Sequence, residues 1–67
     1  KYIYVSDSGN NRIQVFSKDG KFLAKFGKTG IDNGEFNNPI GITIGKPGQL
    51  LVADTNNHRI QEFKVSF

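Results

Sequence analysis

Asp54, Asn56, Asn57, His58 and Arg59 place an acid, two amides, an imidazole and a guanidinium within six residues, directly after the apolar run Leu50 to Ala53. Those are the groups of an acid–base pair, which needs a base within hydrogen-bond reach of a nucleophile and a pocket that perturbs its pKa. The chain carries its own control. At an offset of 47 residues, VSDSGNNRIQVF (Val5 to Phe16) matches VADTNNHRIQEF (Val52 to Phe63) at seven of twelve positions, among them Asp7 with Asp54, Asn10 with Asn57, Arg12 with Arg59 and Gln14 with Gln61. The counterpart of His58 is Asn11, so an imidazole mechanism would operate in only one copy. Turn chemistry accounts for both. Asp7 and Asp54 end a strand and are expected to accept hydrogen bonds from turn N–H groups, while Arg12 and Arg59 open the next strand and pair with an acid of their own turn or of a neighbouring unit. Asp7, Arg12, Asp54 and Arg59 therefore read as a structural signature, and no catalytic residue is expected.

Other chemistries are excluded by spacing. Gly27, Gly30 and Gly34 lack the lysine and hydroxyl of a phosphate loop and precede a strand where that loop needs a helix. Asp32 to Glu35 has the composition of a calcium loop without its alternating ligands and distant bidentate Glu, and reads as a turn. One His and no Cys leave no zinc site. No metal and no cofactor are expected. The net charge of +3 permits an anionic partner without demanding one. No apolar run approaches the roughly 20 residues that span a bilayer, so no membrane partner is expected.

The elements that must position these residues are strands. Apolar residues come in short runs divided by Gly, Asn, Asp and Pro, with no sustained helical period, which predicts an all-β chain. Six strands are expected, over residues 1–7, 12–17, 21–27, 39–45, 50–55 and 58–65. Gly20 supplies a positive φ to the turn at 18–20. Gly41 and Gly45 suggest an inner strand with close backbone approach. Lys28 to Asn38 is the longest connection. A repeat of about this period signals units that cannot bury their apolar faces alone.

The double occurrence of D-x-x-N-x-R-I-Q-x-F, with Pro39-x-Gly41 ahead of the second copy, resembles the NHL repeat. That resemblance implies a β-propeller, typically six-bladed, with four antiparallel strands a to d in each blade. Residues 1–27 would then be strands b, c and d of one blade, 28–38 the inter-blade connection, and 39–67 strands a, b and c of the next. Further blades, from the same longer chain or from identical chains, are expected to cover the exposed faces and strand edges. Tyr4, Phe16, Phe22, Phe26 and Phe63 are expected to fill the space between blades, with Phe36 pinning the connection to the next blade.

Strand alternation brings the b–c turns and the d–a connection to one end. The candidate binding face there comprises Asn10, Asn11, Arg12, Lys28, Asn33, Asn37, Asn56, Asn57, His58 and Arg59; Lys18, Asp19, Lys21 and Lys46 lie at the other end. The resemblance implies a non-enzymatic binding scaffold presenting loops to a protein partner. An RNA-binding face is the alternative, and part of a metal-dependent propeller lyase a more distant one. Cellular location is not written in the residues; likeness to TRIM-NHL proteins would imply the cytoplasm.

Overall fold

The computed structural model describes residues 2–66. It contains six strands, β1 (Tyr2–Asp7), β2 (Arg12–Ser17), β3 (Phe22–Phe26), β4 (Pro39–Ile44), β5 (Gln49–Asp54) and β6 (Arg59–Lys64). They form two antiparallel three-stranded sheets, β1-β2-β3 and β4-β5-β6. All six expected strands are present, and the chain is all-β apart from two single 3-10 turns, Ser8–Asn10 and Thr55–Asn57. Each turn ends on a left-handed residue, Asn11 at φ 52° and His58 at φ 54°. The N–H of each closes its turn, Asn11 onto the Ser8 carbonyl at 3.2 Å and His58 onto the Thr55 carbonyl at 3.1 Å. Side chains at such positions pay a steric cost that Asn tolerates best, so His58 occupies a backbone role that Asn11 fills in the first copy.

The sheets stack face to face. Ile13 of β2, Leu50 and Val52 of β5 and Phe36 of the connection are buried at the junction, with Tyr4, Phe26, Ile42, Phe63 and Val65 packed around them. Phe26 and Phe36 both lie against Phe63, with ring centroids 5.0 and 5.7 Å away. The sheets are also tied by the Ser6 hydroxyl, which donates to the Ile40 carbonyl at 2.8 Å. Phe36 is fully buried, as its expected pinning role requires. Full burial of such a ring contributes about 1.5–3 kcal/mol. It fits because residue 27 is Gly: a Cβ there would meet the Phe36 ring at 2.6 Å.

Phe22 lies with Phe16 on the outward face of the first sheet, where it is 54% exposed and meets the edge of the Phe16 ring, centroids 5.9 Å apart. A bulge between Val15 and Phe16 shifts the β2–β3 register there, setting Phe16 opposite Phe22. An extra residue in a strand turns its side chains away from simple alternation. The tight packing expected at Gly41 and Gly45 fails: both are exposed, and a Cβ would meet Ala53 at an ordinary 3.5 Å at Gly41 and the flexible Gln49 side chain at Gly45.

Because strand side chains alternate, the pairing assigns each residue to a face. Tyr4, Ser6, Ile13, Val15 and Phe26 of the first sheet point toward the second, and Leu50, Val52, Asp54, Arg59, Gln61 and Phe63 of the second point back. Shifted by 47 residues, this second set becomes Ile3, Val5, Asp7, Arg12, Gln14 and Phe16, on the outward face of the first sheet.

Candidate functional site

Asp54 is the one buried charged residue among those described, with no exposed surface. A carboxylate in that position must be fully hydrogen-bonded. Oδ1 accepts the backbone N–H of Asn37 at 2.7 Å. Oδ2 accepts Asn57 Nδ2 at 2.9 Å, Arg59 Nε at 2.9 Å and Gln61 Nε2 at 3.2 Å. Burial is the largest single influence on this carboxyl and pushes its pKa up. The Asn37 amide, Asn57 and Arg59 together outweigh it and hold the group below the usual carboxylate range. Asp54 is thus an anchored anion with its lone pairs occupied, the opposite of a general base.

The acceptor role expected for the Asp residues is met by different donors. No N–H of its own 3-10 turn reaches either carboxylate; the partners are side chains from the turn and the following strand and, for Asp54, a main-chain N–H 17 residues away. Asp7 repeats the side-chain part: Oδ2 accepts Asn10 Nδ2 at 3.0 Å, Arg12 Nε at 2.8 Å and Gln14 Nε2 at 3.1 Å. The Asn10 amide, followed by the Arg12 guanidinium, lowers its pKa.

Arg59 opens β6 and spends its fork on main chain. Nη1 donates to the Ile31 carbonyl at 2.7 Å, and Nη2 to those of Asp32 and Glu35, both at 2.9 Å. Gln61 adds Nε2 to the Glu35 carbonyl at 2.7 Å and accepts the Gly34 N–H at 3.0 Å. Asn57 Nδ2 reaches the Gly30 carbonyl at 2.9 Å. From the other blade Asn11 donates to Thr29 Oγ1 at 2.9 Å and accepts the Asn38 N–H at 2.8 Å. The connection 28–38 is therefore laced to both b–c turns, which places the ten candidate loop residues at one end of the two sheets.

Most of those ten are internally committed. Asn10, Asn11, Arg12, Asn57 and Arg59 hold the turns or the connection, and Asn37 and Asn56 bond each other through Asn56 Nδ2 to Asn37 Oδ1 at 3.2 Å. Lys28 has a side chain 79% exposed, with a loose ion pair to Glu35 at 3.6 Å. Asn33 and His58 are exposed, and among the described residues their side chains make no hydrogen bond. Gln14 and Gln61 were absent from the sequence-derived signature. Their signal was available, since each stands two residues after the Arg, hence on its face, and is identical in both copies.

Two stacked antiparallel sheets, joined by a connection that the turns of both hold in place, define neighbouring blades of a propeller. The residues that define them match a known family: 36–63 fit the family model of the NHL repeat. The chain carries NHL repeats. It is 42% identical over 53 residues to the B-box type zinc finger protein ncl-1 of Caenorhabditis elegans, covering 79% of this chain and 6% of that protein. Protein brain tumor of Drosophila melanogaster is 49% identical over 42 residues, 63% of this chain and 4% of that protein. NHL repeat-containing protein 2 of Homo sapiens is 41% identical over 69 aligned positions, 88% of this chain and 10% of that protein. The chain thus spans a tenth or less of the length of these relatives.

Proposed function

We propose that the chain is a non-enzymatic part of an NHL propeller that presents its b–c turns and d–a connection to a protein partner. The observation that carries this reading is the saturation of the Asp54–Arg59–Gln61 cluster: its polar atoms are spent on holding a loop in shape. A site built that way offers a partner a rigid surface, with Lys28, Asn33 and His58 projecting from it, instead of a reactive group. Rigid scaffolds bearing exposed loop residues are where binding function concentrates. Among the described residues no group of three or more His, Cys, Asp or Glu converges as a metal would need, so the lyase alternative draws no support from them. No helix is long and apolar enough to cross a membrane.

The RNA alternative is disfavoured by where the guanidinium groups go. Both Arg residues face carboxylates at 2.8 and 2.9 Å, and Lys28 is the one Lys in the laced connection. That is a thin footprint for counterion release. The test uses the protein that contains this chain. Photo-crosslinking side chains replacing Asn33 or His58 are expected to give discrete protein adducts, and one replacing Lys46, at the opposite end, none. Single-stranded RNA bound tightly at physiological salt, weakened by Lys28→Ala and spared by Lys46→Ala, would overturn the proposal in favour of RNA.

A further inference from the structure

Asn33 and Gly34 form the one Asn-Gly pair in the chain. They occupy the middle of a turn that the Glu35 N–H closes onto the Asp32 carbonyl at 3.0 Å, with Gly34 at φ 81°, as a type II turn requires of its third residue. The Asn33 side chain is exposed and, among the described residues, makes no hydrogen bond. An amide so placed has chemistry of its own, because the nitrogen of the next residue can attack its Cγ. Glycine leaves that approach open, and the space around Gly34 is empty, since a Cβ there would meet nothing within contact distance. Every other Asn is followed by Asn, Arg, Pro or His, whose side chains crowd the attack. The Gly34 nitrogen is nevertheless restrained. Its N–H donates to Gln61 Oε1 at 3.0 Å, across 27 residues of chain. Gln61 is itself fixed on β6 by Nε2, which donates to the Glu35 carbonyl at 2.7 Å and to Asp54 Oδ2 at 3.2 Å. The nitrogen must give up that hydrogen before it can attack, so the bond to Gln61 opposes the reaction.

We propose that Asn33 is a site of spontaneous deamidation, and that Gln61 sets its rate by holding the Gly34 N–H. The Gly34 nitrogen bonds to Asn33 Cγ, the Cγ–Nδ2 bond breaks, and Nδ2 leaves as ammonia with the Gly34 proton. Water then opens the cyclic imide. Attack at Cγ gives Asp; attack at the main-chain carbonyl carbon gives isoaspartate, in which the chain continues through Cγ. Water is the only co-reactant. Either product adds an anion to a turn that already holds Asp32 and Glu35. Isoaspartate also inserts a methylene into the main chain between Asp32 and Gly34, whose carbonyl and N–H are fixed by Arg59 Nη2 and Gln61 Oε1. Lacing and modification therefore oppose each other: the laced connection holds the nitrogen back, and the lengthened chain no longer fits the lacing. The inference concerns the covalent state of the connection and stands whether or not the loop face binds a partner.

The first measurement needs no variant. In the protein that contains this chain, the Gly34 amide hydrogen is expected to exchange with deuterated solvent about fivefold or more slowly than in a capped peptide of residues 28–38, the factor that one net hydrogen bond supplies. The second follows the amide-to-acid mass change at Asn33 during incubation near neutral pH, by peptide mapping in mild acid, with isoaspartate detected by methylation with isoaspartyl methyltransferase. Asn33 is expected to convert at about one-fifth of the peptide's rate or less. Asn57, followed by His58 and bonded to Asp54 and the Gly30 carbonyl, is expected to stay intact over the same period. Gln61→Met is expected to bring Asn33 up to the peptide's rate and leave Asn57 unchanged, whereas Gln14→Met, at the matching position of the first copy, changes neither. Asn33 persisting as long as Asn57 would overturn the site. Equal Gly34 exchange in protein and peptide, or an Asn33 rate that Gln61→Met leaves unchanged or that Gln14→Met raises equally, would overturn the role given to Gln61.

Discussion

Replacing Arg59 and Arg12 in turn by Met compares two copies of one motif within one chain, one that holds the connection through its guanidinium and one that bonds only its own Asp. Arg59→Met keeps the apolar stem and removes the ion pair to Asp54 Oδ2 at 2.9 Å and the donors to three carbonyls. The Glu35 carbonyl retains Gln61, and the exposed Ile31 and Asp32 can turn their carbonyls to water. The main cost is the Asp54 carboxylate, fully buried and stripped of its countercharge. Breaking a buried pair costs about 3–5 kcal/mol. Asp54 keeps Asn37, Asn57 and Gln61, which places Arg59→Met near ~3 kcal/mol. A chain of 67 residues has a total stability of roughly 3–10 kcal/mol, so this is a large share of it. Arg12→Met removes one bond to a carboxylate that water already reaches, and a much smaller loss is expected. Urea unfolding followed by far-ultraviolet circular dichroism, at one chain concentration because association shifts the midpoint, reads both. With a slope of about 1 kcal/mol per molar, Arg59→Met moves the midpoint down by about 3 M. Equal shifts for the two variants would refute the claim that Arg59 acts by clamping the connection.

His58→Asn is expected to leave the melting temperature unchanged, because Asn takes the left-handed turn position as Asn11 does, while His58→Val is expected to lower it, a β-branched side chain being least tolerated at φ 54°; loss of partner binding in a folded His58→Asn variant would restore a chemical role to the imidazole. For acid, Asp7 and Asp54 both have pKa values lowered in the folded state. Their stabilisation is complete above the unfolded value of about 3.9 and is lost as pH falls through the lower folded values. Melting temperature is expected to hold steady from neutral pH down to about 5 and to fall below about 4, with Asp54→Asn lowering the plateau and flattening the fall. A profile unchanged by Asp54→Asn would show that its hydrogen bonds do not carry the acid sensitivity.

The six strands, the turns between them and the repeated Asp-Asn-Arg-Gln set were legible from residue order, because strand alternation and turn preference act over a few neighbours. Phe36 as a pin was legible too, since an aromatic ring in a polar connection has one cheap destination. The face on which Phe22 sits was not legible, because a bulge at Val15 and Phe16 is a property of two strands in register, which alternation along one strand does not reveal. The destination of the Arg59 fork, 24 to 28 residues back along the chain, needed both sheets in place. The motif itself marks the limit. Its six defining residue types recur unchanged in the two copies, yet the Asp7 side chain is 23% exposed and that of Asp54 is not exposed at all. Local sequence determines how Asp, Asn, Arg and Gln arrange around one oxygen, because those contacts close within eight residues. Whether that cluster becomes a buried clamp depends on what packs over it, and only the tertiary structure decides that.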